Sequence, residues 1–197
     1  MLIKKFCEKY LEKHKDETVT FLKSTYLFEN FSEEEIHLFI SEISLSKREM
    51  AKNEKIVQEG QIGHTMYIVY KGTIKISINN DEIETVIADN LSEGSIFGEI
   101  ALLNDVTRTA TVTAKEPTTL YAIIGKDLDK LHKLPKISNK FYINVSKKLS
   151  EDISKTNKKL KAEQENLIKC NNEKKVLEDK IEQLSLKLEK LIKKYEQ

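Results

Sequence analysis

Apolar and polar positions along this chain follow three periods, and the changes of period divide it. Over residues 1–24, Leu2, Ile3, Phe6, Tyr10, Val19 and Leu22 recur at loosely helical spacing among lysines and glutamates, which predicts a helix. Ser32, followed three residues later by Glu35, forms a capping box that starts a second helix carrying Ile36, Leu38, Phe39 and Ile43. From about residue 44 to 124 the pattern becomes short β-rich runs at 55–57, 66–70, 73–78, 84–88, 111–114 and 119–124. Asn79-Asn80-Asp81 reads as a hairpin turn, and Gly60, Gly63, Gly72 and Gly94 fall at turns. Roughly seven or eight strands at this spacing predict a sandwich or barrel, with a jelly roll the best fit.

Residues 126–135 predict a short helix ended by Pro135, and the residue before a proline is biased away from α, which places a hinge there. A long helix is expected from about Ser138 to the end, with neither proline nor glycine inside it. From Leu149 to Tyr195 its apolar register steps by four and three. One seam row holds Ile153, Leu160, Leu167, Lys174, Ile181, Leu188 and Tyr195. The other holds Leu149, Thr156, Glu163, Cys170, Leu177, Leu184 and Leu191. Sustained heptads argue for a coiled coil, and Thr156, Glu163 and Lys174 are polar interruptions that can fix register. At ~1.5 Å per residue such a helix runs roughly 85 Å, so its seam needs a partner helix, most simply its own copy in a parallel dimer. The expected layout is α+β: an N-terminal helical segment (1–43), a jelly-roll β-barrel (44–135), and a hinge with a C-terminal coiled-coil helix (136–197).

Charge and cysteine content change this picture little. The 33 basic and 32 acidic residues leave a net charge of +1, so no global field draws the chain to nucleic acid or membrane. Cys7 and Cys170 lie far apart and form neither a disulfide framework nor a zinc pattern, which points to the reducing cytoplasm. Charge interrupts the first residues too soon for a signal peptide, and no apolar run approaches the roughly 18 residues of a membrane span. Of His14, His37, His64 and His132 only His64 lies in the β region, so no metal is expected. No triad or acid–base pair suggests an enzyme, and no catalytic residue or cofactor is assigned.

The chemistry concentrates in Phe97-Gly98-Glu99-Ile100-Ala101-Leu102-Leu103, followed by Asn104-Asp105-Val106-Thr107-Arg108-Thr109-Ala110-Thr111-Val112. A carboxylate and a guanidinium nine residues apart can converge on one small anion if a helical turn and a loop join them. Gly98 permits a positive φ or a close approach of the ligand. The amides of 98–102 would form a helix N-terminus suited to an anion, and Arg108 can fork two N–H groups onto phosphate oxygens.

This stretch resembles the phosphate-binding cassette of cyclic-nucleotide-binding domains: Phe-Gly-Glu, an apolar residue, Ala-Leu, a short loop, then Arg, a small residue, Ala and a hydroxyl residue. Residues 97–112 match it without a gap, except that Thr107 stands where many members have proline. Gly60, Tyr67, Gly72 and Gly94 resemble the family's strand-and-turn framework, with His64 where an aspartate is frequent. The resemblance covers roughly residues 25–150. It implies that Arg108 pairs with the exocyclic phosphate oxygens, Glu99 accepts the ribose 2′-hydroxyl, and Gly98 admits the ribose, with Phe97 and Ile100 completing the cassette. It further implies phosphate bonds from the amides of Ala101 and Ala110, and contacts of Ile76 and Ala88 with the base.

Thr109 resembles the threonine that reaches the guanine 2-amino group in cGMP-binding kinases, yet several cAMP-responsive channels carry it too. Asp152 on the long helix could accept from guanine or from the adenine 6-amino group, so cAMP and cGMP both stay open. The expected function is a cyclic-nucleotide sensor that relays binding through a homodimer over 149–195 to an output protein the sequence does not identify. The alternative is a ligand-independent scaffold whose roll caps a dimerising rod. A catabolite-activator type transcription factor would need a helix-turn-helix, whereas residues 150–197 read as heptads throughout.

Overall fold

The computed structural model describes residues 17–80, 83–100 and 107–195. Contacts divide the chain into two compact units, Met1–Lys148 and Leu149–Gln197.

In the first unit, residues 17–24 are helical (α1), and the earlier part of the expected first helix lies outside the described residues. Val19, Phe21 and Leu22 are buried. Phe21 sets its ring edge against Tyr70 at 4.9 Å and lies 5.7 Å from Tyr121, so α1 packs on the roll. A 3-10 turn at Tyr26–Phe28 leads to α2 (Glu33–Glu42), which starts as its sequence dictates. Ser32 accepts from the Glu35 amide, and the Glu35 carboxylate accepts from the Ser32 amide at 2.8 Å. Ile36 and Phe39 turn inward while Leu38 is exposed.

Among the described residues eight strands follow: β1 (Ser46–Met50), β2 (Lys55–Val57), β3 (Thr65–Lys71), β4 (Ile74–Asn80), β5 (Ile83–Leu91), β6 (Ile96–Phe97), β7 (Thr111–Ala114) and β8 (Thr118–Ile124). They form two four-stranded sheets, ordered β1-β8-β3-β6 and β2-β7-β4-β5, with antiparallel pairing. Val57, Ile74 and Val112 from one sheet meet Tyr67, Val69, Phe97, Leu120 and Ala122 from the other, which is the expected jelly-roll core. In β3 both faces are buried, so Met66-Tyr67-Ile68-Val69 reads as a continuous apolar run rather than an alternation. β1 and β6 were not among the expected strands. Three of the five residues of β1 are charged, and among the described residues β8 is its one neighbour, so the charge falls where it blunts an open edge.

The segment after β8 departs from expectation in detail. A short helix α3 (Gly125–Leu128) runs into a 3-10 stretch at Asp129–Lys133, and the long helix α4 (Pro135–Tyr195) begins at the proline, not near Ser138. Proline's fixed φ and missing N–H suit the first helical position, so Pro135 opens this helix. The α4 residues of the first unit are tied down closely. Ile137, Phe141 and Val145 are buried, with Phe141 5.2 Å from Phe39. The buried Asn144 amide donates to the carbonyls of Leu27 (2.9 Å) and Glu29 (3.0 Å), and Lys140 reaches both Glu35 oxygens at 2.7 Å.

In the second unit α4 continues as helix to Tyr195. Among its described residues, Ile153, Leu160, Leu167, Leu177, Ile181, Leu184 and Leu188 are each half or more exposed.

Candidate functional site

Strand β6 ends at Phe97, whose ring stacks on Tyr67 at 5.1 Å inside the core. The chain then turns through Gly98 at φ +81°, and helical backbone begins at Glu99. Ala101, named from the sequence, lies outside the described residues. The chain re-enters at Thr107, which bridges Ile62, and Arg108 is clamped by its own backbone. Its amide donates to the Gln61 carbonyl and its carbonyl accepts from the Gly60 amide, both at 2.8 Å. Those two bonds fix where the side chain starts.

The guanidinium enters a slot. Arg108 is only 7% exposed, and its terminal nitrogens donate to the carbonyls of Thr65 (2.6 Å) and Gly98 (3.3 Å). Two glycines make the room. A Cβ on Gly63 would stand 2.7 Å from Arg108 Nε, and one on Gly98 would stand 2.5 Å from a terminal nitrogen and 2.9 Å from the Thr65 carbonyl. The guanidinium carbon lies 6.0 Å from the Tyr67 ring centroid, within reach of a weak cation–π attraction.

Burial pulls the Arg108 pKa down, while Tyr67 and the half-buried Glu99 oppose that fall. The hydrogen-bond partners of this cation among the described residues are neutral carbonyls, and Glu99 acts on it through space. A guanidinium has five N–H donors, so those two bonds leave capacity for an anion. A buried charge is costly unless an opposite charge meets it.

The other named positions separate into three groups. Ile76 and Ala88 are brought together as cross-strand neighbours between β4 and β5, in a register shifted on both sides of Ile76. Ile100 and Thr109 are exposed, and Ala110, next to Thr109 in sequence, is half-buried. Asp152 belongs to the second unit. The sequence reading placed Gly63 simply at a turn and missed Thr65 altogether. Thr65 acts through its backbone carbonyl, which no residue type announces.

The family profile of the cyclic nucleotide-binding domain matches residues 47–133. A cGMP-dependent protein kinase of Eimeria tenella is 37% identical over 108 residues, 55% of this chain and 10% of that protein. A cAMP-dependent protein kinase regulatory subunit of Debaryomyces hansenii is 36% identical over 106 residues, 54% of this chain and 22% of that protein. The chain therefore spans a small part of the length of these relatives. The solved cyclic nucleotide-binding domain from Methylobacillus flagellatus KT superposes with a TM-score of 0.64 at 22% identity, covering 73% of this chain and 80% of that one, which shows the same fold. In profile, relatives and fold, this chain carries a cyclic nucleotide-binding domain over residues 47–133.

Proposed function

We propose that this domain binds cAMP or cGMP, with Arg108 holding the phosphodiester and Glu99 the ribose 2′-hydroxyl. The observation that carries this is the buried guanidinium, held in a two-glycine slot against neutral carbonyls. Those carbonyls aim the side chain, and an arriving phosphate would take the N–H groups that they leave over. Ile76 and Ala88, adjacent across two strands, offer an apolar rest for the base. Phe97 supports Gly98 from the core, and the remaining described cassette positions Ile100, Thr109 and Ala110 flank the ligand. The relatives are named for cGMP in one case and cAMP in the other, so they do not choose the base.

The domain works, on this reading, as a cytoplasmic regulatory module of three parts: a helical segment (1–43), the roll (44–135) and a hinge with a dimerising helix (136–197). Ligand moves the relay only through unequal affinity for two arrangements. Lys140 and Asn144, which tie α4 to the turn around Leu27–Asn30 and to α2, are the contacts such a shift would have to carry or break. The seam over 149–195 joins two copies, which pass the shift to an output protein.

Isothermal titration of the wild type with cAMP and with cGMP, beside Arg108→Ala, tests the binding step. Micromolar binding of at least one nucleotide, lost in the variant, is expected. A wild type that binds neither would refute the proposal.

A further inference from the structure

The proposed dimer has an orientation written into the polar interruptions of its seam. In a parallel, in-register pair each seam residue meets its own copy. Glu163 would face the partner's Glu163, and Lys174 would face the partner's Lys174. On the flank, Glu173 would lie beside the partner's Glu178. All three contacts are between like charges.

We propose that two copies pair antiparallel through residues 149–188, with Glu163 facing the partner's Lys174. Turning one copy round sets one seam row against the other. Two-fold symmetry then makes the ion pair twice, since Lys174 also meets the partner's Glu163. The apolar residues fall into step in this same register. Leu149 comes opposite the partner's Leu188, Ile153 opposite the partner's Leu184, and Leu160 opposite the partner's Leu177. A slip of one heptad in either direction destroys the match. It would set Glu163 against the partner's Leu167 or the partner's Ile181, and Lys174 against the partner's Thr156 or the partner's Cys170. The flanks do not decide the matter, because Asp152 beside the partner's Lys187 is offset by Lys159 beside the partner's Lys180.

The structure leaves these groups ready for such a partner. Seam residues Leu160 and Leu177 are 51% and 59% exposed. Lys174 contacts Glu178 of its own helix at 3.6 Å, with both side chains well over half exposed. An exposed pair of this kind is weak, so breaking it costs little.

Sedimentation of the full chain, with charge swaps, tests the register. Lys174→Glu and Glu163→Lys should each weaken the dimer by about 100-fold or more, since each leaves like charges facing in the core. The double swap should return the affinity to within about threefold of wild type. A parallel dimer would respond weakly to either single swap, because each merely exchanges one like pair for another. A spin label at Ser185→Cys, with Cys7→Ser and Cys170→Ala, gives an independent readout. Antiparallel copies separate the labels by roughly 50 Å along the axis, whereas parallel copies hold them within about 20 Å. A wild-type monomer would overturn the dimer itself. A stable dimer with a short label distance, or one indifferent to single swaps, would overturn the antiparallel register alone.

Discussion

One helix, α4, carries the same kind of apolar period into two environments. At Ile137, Phe141 and Val145 the period is met by the domain's own side chains, and all three are buried. From Ile153 onward the same period stays open among the described residues, and Leu160, Leu167, Leu177 and Leu184 are exposed. Periodicity shows which residues need cover. Only the fold shows whether the cover comes from the same chain or must come from another. The first stretch therefore belongs to the domain's stability and the second, on the proposed reading, to association, although both read alike as helix.

The sharpest way to break this contrast is a pair of truncations. Phe141→Ala should cost the roll about 3–5 kcal/mol in chemical denaturation. Leu177→Ala should leave the roll within about 0.5 kcal/mol when dilute, yet weaken self-association. Comparable losses at both sites would erase the distinction. Next in size, Asn144→Ala removes two buried hydrogen bonds to the turn carbonyls of Leu27 and Glu29, for about 1–3 kcal/mol by the same denaturation. Gly98→Ala should destabilise by about 1–2 kcal/mol from its positive φ alone. It should also abolish nucleotide binding, because the new methyl group would strike Arg108; calorimetry beside thermal melting separates the two effects.

The smallest effect is a pH dependence. Glu35 is held below the usual carboxylate value of 4.5, first by its hydrogen bond with Lys140 and then by the Ser32 amide. A carboxylate lowered on folding stabilises above its unfolded pKa, and that contribution disappears as pH falls through the lower folded value. Glu35→Gln should therefore flatten the stability profile below about pH 4.5, by no more than about 1 kcal/mol for a partly solvated pair. An unchanged acid limb in denaturation curves would remove Glu35 as the cause.

Where structure follows from neighbours in sequence, it was legible. The Ser32–Glu35 capping box needs only residues three apart, and it formed as expected. The strands with β-branched and aromatic runs, β3, β4 and β8, were legible for the same reason. The run Ser46-Lys47-Arg48-Glu49-Met50 is strand because β8 lies beside it, which composition does not reveal. Pro135 was legible as a boundary with the long helix after it, but that helix starts at the proline itself rather than near Ser138, because proline suits a first helical position. At the site, the charge of Arg108 and the freedom of Gly98 could be read. The Thr65 carbonyl that aims the guanidinium could not, because every residue has one.

The most direct test of the buried arginine's role is one calorimetric series with cAMP, cGMP and their 2′-deoxy analogues on the wild-type chain. Micromolar binding of at least one ribose nucleotide is expected, with a loss of about tenfold or more without the 2′-hydroxyl, since Glu99 would then go without its donor. Equal affinity with and without that hydroxyl would take Glu99 out of the site, and the absence of heat from all four compounds would contradict the account at its centre.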